Sequence, residues 1–301
     1  MSRIHDALKK AEMERAEIQS GGVHPPFSVV PGTAGPGFRE DNSIPGGNGT
    51  DAAISSFGLE SLLAKSSQEK WNPDPATMLF LNGDDNKRGT EEFRTLRSRL
   101  YNAREKMPLK SLLITSALPK EGKSFTSANL AQVLVRQHGR RVLLIDADLR
   151  APRLHLMLGT TAVPGLSDYL QGRCEEFPVM QRGPLENLFF IPSGTPIDDP
   201  SELVGNGRLR VLLHRVGLLF DWIIVDSPPA VPVSDSGVLA KACDGVLIVV
   251  RSNSTPFEAA RKAREEFPDQ SLVGMVLNGT SNGAEPYSRY YYEAYDKKNK
   301  G

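Results

Sequence analysis

Cysteine is scarce in this 301-residue chain. The two present, Cys174 and Cys243, lie far apart and form no metal or redox motif. That spacing excludes a disulfide framework and an iron–sulfur centre, and a reducing cytosol is the simplest setting. No apolar run approaches the roughly 18 residues that a membrane-spanning helix needs, so none is predicted. The opening, MSRIHDALKKAEMERAE, carries charges throughout and lacks the apolar stretch of a secretion signal. Net charge is also lacking: Lys plus Arg and Asp plus Glu number 36 each. Composition therefore offers no electrostatic footprint for nucleic acid or an anionic membrane. No internal repeat is visible. The length suffices for one large domain or two small ones.

What is present divides into regions. Residues 1–20 read as a helix with a thin stripe at Ile4, Leu8, Ala11 and Arg15. It is either a solvated, frayed helix or a docking helix for a partner. Residues 21–77 hold nine Gly and seven Pro. Such a stretch buries too little apolar surface to offset its ordering entropy, so a flexible linker is predicted, with a short helix near Leu59–Lys65. From Met78 the pattern becomes α/β. Apolar runs at Ser111–Thr115, Val142–Ile145, Leu188–Ile191, Trp222–Val225, Val246–Val250 and Leu272–Leu277 read as strands. Helices are predicted at Ser124–His138, Ser201–Val216, Ser236–Ala242 and Pro256–Phe267, with Gly139 as a C-cap glycine. Continuous apolar strands alternating with helices predict a doubly wound, mostly parallel sheet covered on both faces. Ligands of such sheets sit beyond the carboxyl ends of the strands.

The unusual residues stand at those ends. The first run leads into SALPKEGKS and then a helix. This is a phosphate loop, G-x-x-x-x-G-K-[ST], with Ala117 in place of its first glycine. Alanine fills that place if its φ is negative. Residues Leu118, Pro119, Lys120, Glu121, Gly122, Lys123, Ser124 and Phe125 would wrap the phosphates at a helix N-terminus. Lys123 would reach the β- and γ-phosphates, and Ser124 would hold Mg²⁺ through its hydroxyl. The second run ends in Asp146 and Asp148, two carboxylates on one side of an extended segment, which repel unless a cation lies between them. Either could accept a proton from an attacking hydroxyl. Arg150 and Arg153 follow and would neutralise acidic or phosphate groups. The third run ends in Asp226, placed as a Walker B aspartate that holds Mg²⁺. Pro228 and Pro229 stop that strand, and Asp235 is expected to cap the next helix. Asn278 ends the last strand, either to read the adenine edge or as a turn residue before Gly279.

Together, TSALPKEGKSFTSANLA, VLLIDADLRAPRLH and FDWIIVDSPP resemble the bacterial protein-tyrosine kinases of capsular and exopolysaccharide synthesis. The resemblance spans roughly residues 78–295, and MSRIHDALKKAE resembles the opening of a soluble, exosortase-locus subgroup. It implies a kinase domain over 78–283 on a P-loop fold related to partition ATPases. ATP and Mg²⁺ are the implied cofactors, with Lys123, Asp146, Asp148 and Asp226 catalytic and Ser124, Asp148 and Asp226 at the metal. Glu91, Arg94 and Arg97 match an E-x-x-R-x-x-R helix that in the family mediates ring-like self-association. By spacing alone they make an ordinary salt-bridged helix face. The tail, residues 284–301, carries Tyr287, Tyr290, Tyr291, Tyr292 and Tyr295, five of the chain's seven tyrosines. In the family such a cluster is phosphorylated in trans. The resemblance further implies a homo-oligomer, a separate membrane-embedded co-polymerase as activator, a tyrosine phosphatase, and recruitment to the inner face of the membrane from the cytoplasm. Two other readings use the same phosphate residues: a partition-type regulatory ATPase, and a nucleotide-binding adaptor without catalysis. Leu118, where the partition branch carries lysine, and the tyrosine tail disfavour the first. The complete set of Lys123 and three aspartates disfavours the second.

Overall fold

Six predicted apolar runs become strands of one eight-stranded sheet in the computed structural model, which describes residues 58–80, 89–137 and 139–280. They are β2 (Ser111–Ser116), β3 (Val142–Asp146), β5 (Leu188–Ile191), β6 (Trp222–Asp226), β7 (Gly245–Arg251) and β8 (Leu272–Asn278). Two further strands, β1 (Ser67–Gln68) and β4 (Gln181–Arg182), are too short to show a periodicity. The order is β1-β4-β5-β3-β6-β2-β7-β8. Every pairing is parallel except β4 with β5.

Period-2 alternation sends the strand side chains to opposite layers. Leu143, Ile145, Ile223 and Val225 enter one apolar core. Val142, Leu144, Trp222 and Ile224 enter the other. Helices cover both layers: α1 (58–65), α2 (Thr90–Arg104), α3 (Lys123–Val135), α4 (Leu154–Leu158), α5 (Leu166–Leu170), α6 (Pro200–Gly205), α7 (Arg208–Val216), α8 (Asp235–Ala240) and α9 (Phe257–Glu265). The connection from β2 runs to β3, on the far side of β6, and that from β6 runs to β7, on the far side of β2. The resulting crevice lies at the carboxyl ends of β3, β6 and β2.

The structure corrects three sequence readings here. The helix predicted over Ser201–Val216 is two, broken where Gly207 takes φ 79°. Asp235 is not the cap of α8; Ser234 holds that place, and Asp235 sits in the first turn with its carboxylate turned to other partners. The predicted linker ends earlier than residue 77, because 58–77 is built into the fold.

That last segment is a strap around the β1 edge of the sheet. Leu62 is fully buried in one core, while Trp71, Met78 and Phe80 are buried in the other. Trp71 meets Phe190 edge to face at 6.1 Å. It also lies against Gly183, where a Cβ would stand 2.2 Å from the indole. Asn72 N–H donates to Gly159 O at 3.0 Å, and Asp74 N–H to Met157 O at 3.1 Å. The predicted linker overran into 58–77 because Gly and Pro crowd into residues 21–49. Only Gly58, Pro73 and Pro75 of that set fall in the strap. Residues 1–57, which hold the predicted N-terminal helix and most of the predicted linker, and the tail tyrosines lie outside the described residues.

Candidate active site

The loop between β2 and α3 turns left-handed twice, at Lys120 (φ 67°) and Gly122 (φ 100°). Ala117 is not among the positive-φ residues and is fully buried. The missing glycine is therefore no defect, since the turn lies farther along. Gly122 is needed for a second reason: a Cβ there would stand 2.0 Å from Asn278 Nδ2. The loop is held from inside and outside. Glu121 is 3% exposed, and its Oε2 accepts from Leu118 N–H at 2.8 Å. Its Oε1 accepts from the Thr255 hydroxyl. Asn278 Nδ2 donates to Glu121 O at 2.9 Å, and Arg251 Nη1 to Lys120 O at 3.2 Å. Phe125 turns its ring away toward Phe93 of α2, 5.9 Å between centroids.

At the start of α3 a buried charge cluster gathers residues that the sequence scatters. Lys123 Nζ donates to Asp148 Oδ2 at 2.7 Å and lies 3.6 Å from Asp226 Oδ2. Ser124 Oγ donates to Asp226 Oδ2 at 2.5 Å. Ser127, which the sequence reading missed, donates to Asp226 Oδ1 at 3.0 Å. Its i, i+3 spacing from Ser124 was the available signal. Asp146 stands beside Asp226 in the β3–β6 register. Its Oδ2 accepts from the Arg153 and Leu154 amides at 3.2 and 3.0 Å, and its Oδ1 has no partner.

Three carboxylates thus face one ammonium. Burial, followed by the Asp226 charge, pushes Asp146 up to about 8 against the pull of the Leu154 amide. Burial also raises Asp226, against Lys123 and the Ser124 hydroxyl. Burial opposes the charge of Lys123, but Asp226 and Asp148 outweigh it and raise its pKa. The excess of hard, anionic oxygen suits a hard cation. No cage of three or more His, Cys, Asp or Glu side chains exists among the described residues. Mg²⁺ does not require one, because it binds through one or two carboxylates together with substrate phosphates.

The loop after β3 is pinned as well. Asp148 Oδ1 accepts from Ala151 N–H at 3.0 Å. Arg150 Nε donates to Asp235 Oδ2 at 2.7 Å, and Ser201 Oγ donates to Asp235 Oδ1 at 2.8 Å. Arg150 therefore neutralises a buried acid from α8, a partner the sequence did not indicate. On α2, Arg94 pairs with Glu91. Arg97 Nη1 donates to Val133 O at 3.0 Å, tying α2 to the end of α3.

Residues 112–285 match the CobQ/CobB/MinD/ParA nucleotide binding domain family. The tyrosine-protein kinase YwqD of Bacillus subtilis (strain 168) is 34% identical over 204 residues, covering 67% of this chain and 86% of YwqD. This chain belongs to the bacterial protein-tyrosine kinases. The tyrosine-protein kinase Wzc of Salmonella typhimurium is 32% identical over 208 residues, and there the kinase matches only 29% of the relative's length. The kinase domain of the Escherichia coli tyrosine kinase ETK superposes with a TM-score of 0.60 at 33% identity. That match covers 65% of the tyrosine kinase described here and 77% of the ETK chain. The P-loop fold expected from the motifs is the fold observed. No helix among the described residues is long and apolar enough to cross a membrane.

Proposed function

We propose that this kinase transfers the γ-phosphoryl group of ATP to the tyrosines of its C-terminal tail, in trans, between copies of the chain. The observation that carries the reading is the Lys123 ammonium at the N-terminus of α3, 2.7 Å from Asp148 and 3.6 Å from Asp226. Loop amides and the α3 dipole receive the phosphates, and Lys123 stabilises negative charge on the group in transfer. Ser124, Asp148 and Asp226 would hold Mg²⁺, which screens the phosphate charge. The phenolic oxygen bonds to the γ-phosphorus as the bond to the ADP oxygen breaks, and the phenolic proton passes to a carboxylate. Asp146 is the favoured acceptor: its Oδ1 is unpartnered, and once its own proton has left, a carboxylate with a pKa raised to about 8 is a stronger base than an ordinary one. Asp148 is the second candidate. Both are buried, so access for the phenol requires a local rearrangement around them.

The acceptors in this reading are Tyr287, Tyr290, Tyr291, Tyr292 and Tyr295. The Glu91–Arg94–Arg97 face of α2 would serve ring-like assembly. Regulation of exopolysaccharide synthesis or export, a membrane-embedded activator that recruits the cytoplasmic kinase, and an opposing tyrosine phosphatase complete the proposal. The test mixes a K123M chain carrying an intact tail with a chain whose five tail tyrosines are Phe, then adds Mg·ATP. Phosphotyrosine on the K123M chain is the expected result. Its absence, even with an activator supplied, sinks the trans reading.

A further inference from the structure

We infer that Asn278, together with Thr255 and Glu121, is a positioning device for the phosphate loop, so that Asn278 governs the grip on the triphosphate and not the choice of base. The inference rests on the ATP reading of the loop. Asn278 spends its amide within this chain. Nδ2 donates to Glu121 O at 2.9 Å, and Oδ1 accepts from Gly279 N–H at 2.8 Å. The same Nδ2 closes on Gly122 so tightly that no Cβ fits. Glu121 is the centre of the brace. Its carbonyl takes Asn278, one carboxylate oxygen takes the Leu118 amide, and the other takes the Thr255 hydroxyl. Thr255 Oγ1 in turn accepts from Arg251 N–H at 2.7 Å, anchoring the set to the end of β7.

The physical consequence concerns backbone orientation. The loop makes two left-handed turns within three residues, Lys120 and Gly122. Lys120 pays the steric cost of positive φ that glycine escapes. Such a conformation persists only when its surroundings over-determine it. The brace supplies that constraint from two strand ends, β7 and β8. With the turns held, the loop amides would be set for the phosphates before binding, and less conformational freedom is lost on binding.

The test is calorimetric titration of the full chain, in Mg²⁺, with ATP and with inorganic tripolyphosphate. A residue that reads adenine has nothing to read in tripolyphosphate. Asn278→Ala is expected to weaken both ligands by the same factor, about tenfold. Thr255→Val should do likewise, while Thr255→Ser, which keeps the hydroxyl, should bind as the unaltered chain does. The Thr255 pair decides the matter if Asn278→Ala fails to fold. Loss of ATP affinity with tripolyphosphate binding unchanged would overturn the brace and assign Asn278 to the base. Equal binding by the Val and Ser variants, or an unaltered chain that binds ATP but not tripolyphosphate, would also overturn it. An unaltered chain that binds neither ligand would remove the ATP reading itself.

Discussion

Lys123 donates to Asp148 at 2.7 Å across the crevice, joining the phosphate helix to the loop after β3. The pair is buried, with side chains 10% and 3% exposed. Asp148→Asn would leave the ammonium without its nearest anion and misplace it toward Asp226. Phosphotyrosine formation is expected to fall by about 100-fold, the scale of losing one preorganised electrostatic contact. Lys123→Met should lose at least as much. Quantitative phosphotyrosine blotting after Mg·ATP treatment checks both, with far-ultraviolet dichroism confirming the fold.

The protonation of Asp146 gives a pH dependence with a definite sign. Its carboxyl titrates near 3.8 in the unfolded chain and near 8 in the fold. Between those values the folded state binds the extra proton, so stability from this group is full below 3.8 and is lost as pH rises through about 8. Urea unfolding of nucleotide-free protein should show declining stability between about pH 5 and about pH 9. Asp146→Asn should flatten that decline. An unchanged slope in the variant would contradict the assignment.

Asp235 holds Arg150, and through it the loop that carries Asp148. The Arg150 side chain is 38% exposed, so the pair adds little to stability. Its effect should appear in catalysis. Asp235→Asn is expected to reduce turnover about tenfold with near-unchanged melting temperature, as a charge-assisted contact becomes a neutral one. Turnover at the level of the unaltered chain would show that the loop is held without it.

The strap should contribute to stability even though it carries no catalytic group. Trp71→Ala removes a ring packed on Phe190 and Gly183 and should cost about 3 kcal/mol. Gly183→Ala should be of similar severity, because its Cβ would enter the indole. Denaturant unfolding measures both, and values near zero would mean that the fold does not need the strap.

Tail phosphorylation should also change assembly. Each phosphate adds about −1.5 to −2 charges, and several on one tail would repel the partner's aspartate cluster. Sedimentation before and after Mg·ATP treatment should show a smaller species afterwards. A fully phosphorylated tail with an unchanged assembly size would exclude the switch.

Local pattern was enough for much of this molecule. Six apolar runs announced the central strands because a buried parallel strand is apolar on both faces. Lys123, Ser124, Asp146, Asp148 and Asp226 were legible because each stands immediately after such a run, where this sheet type gathers its chemistry. Only the tertiary structure decided the rest. The strap was hidden by glycine and proline belonging to the residues before it, and its burial depends on Phe190 and Gly183, more than 100 residues away. Asp235 looked like a cap, yet Arg150 and Ser201 reach it from two other elements. Ala117 looked like a missing glycine until the left-handed turns appeared at Lys120 and Gly122. The proton on Asp146 depends on burial and on Asp226, which β3 and β6 bring into register 80 positions apart in the chain. Motif spacing records which groups a strand end presents. The partners that tune those groups come from sheet order and long-range packing, which no local spacing encodes.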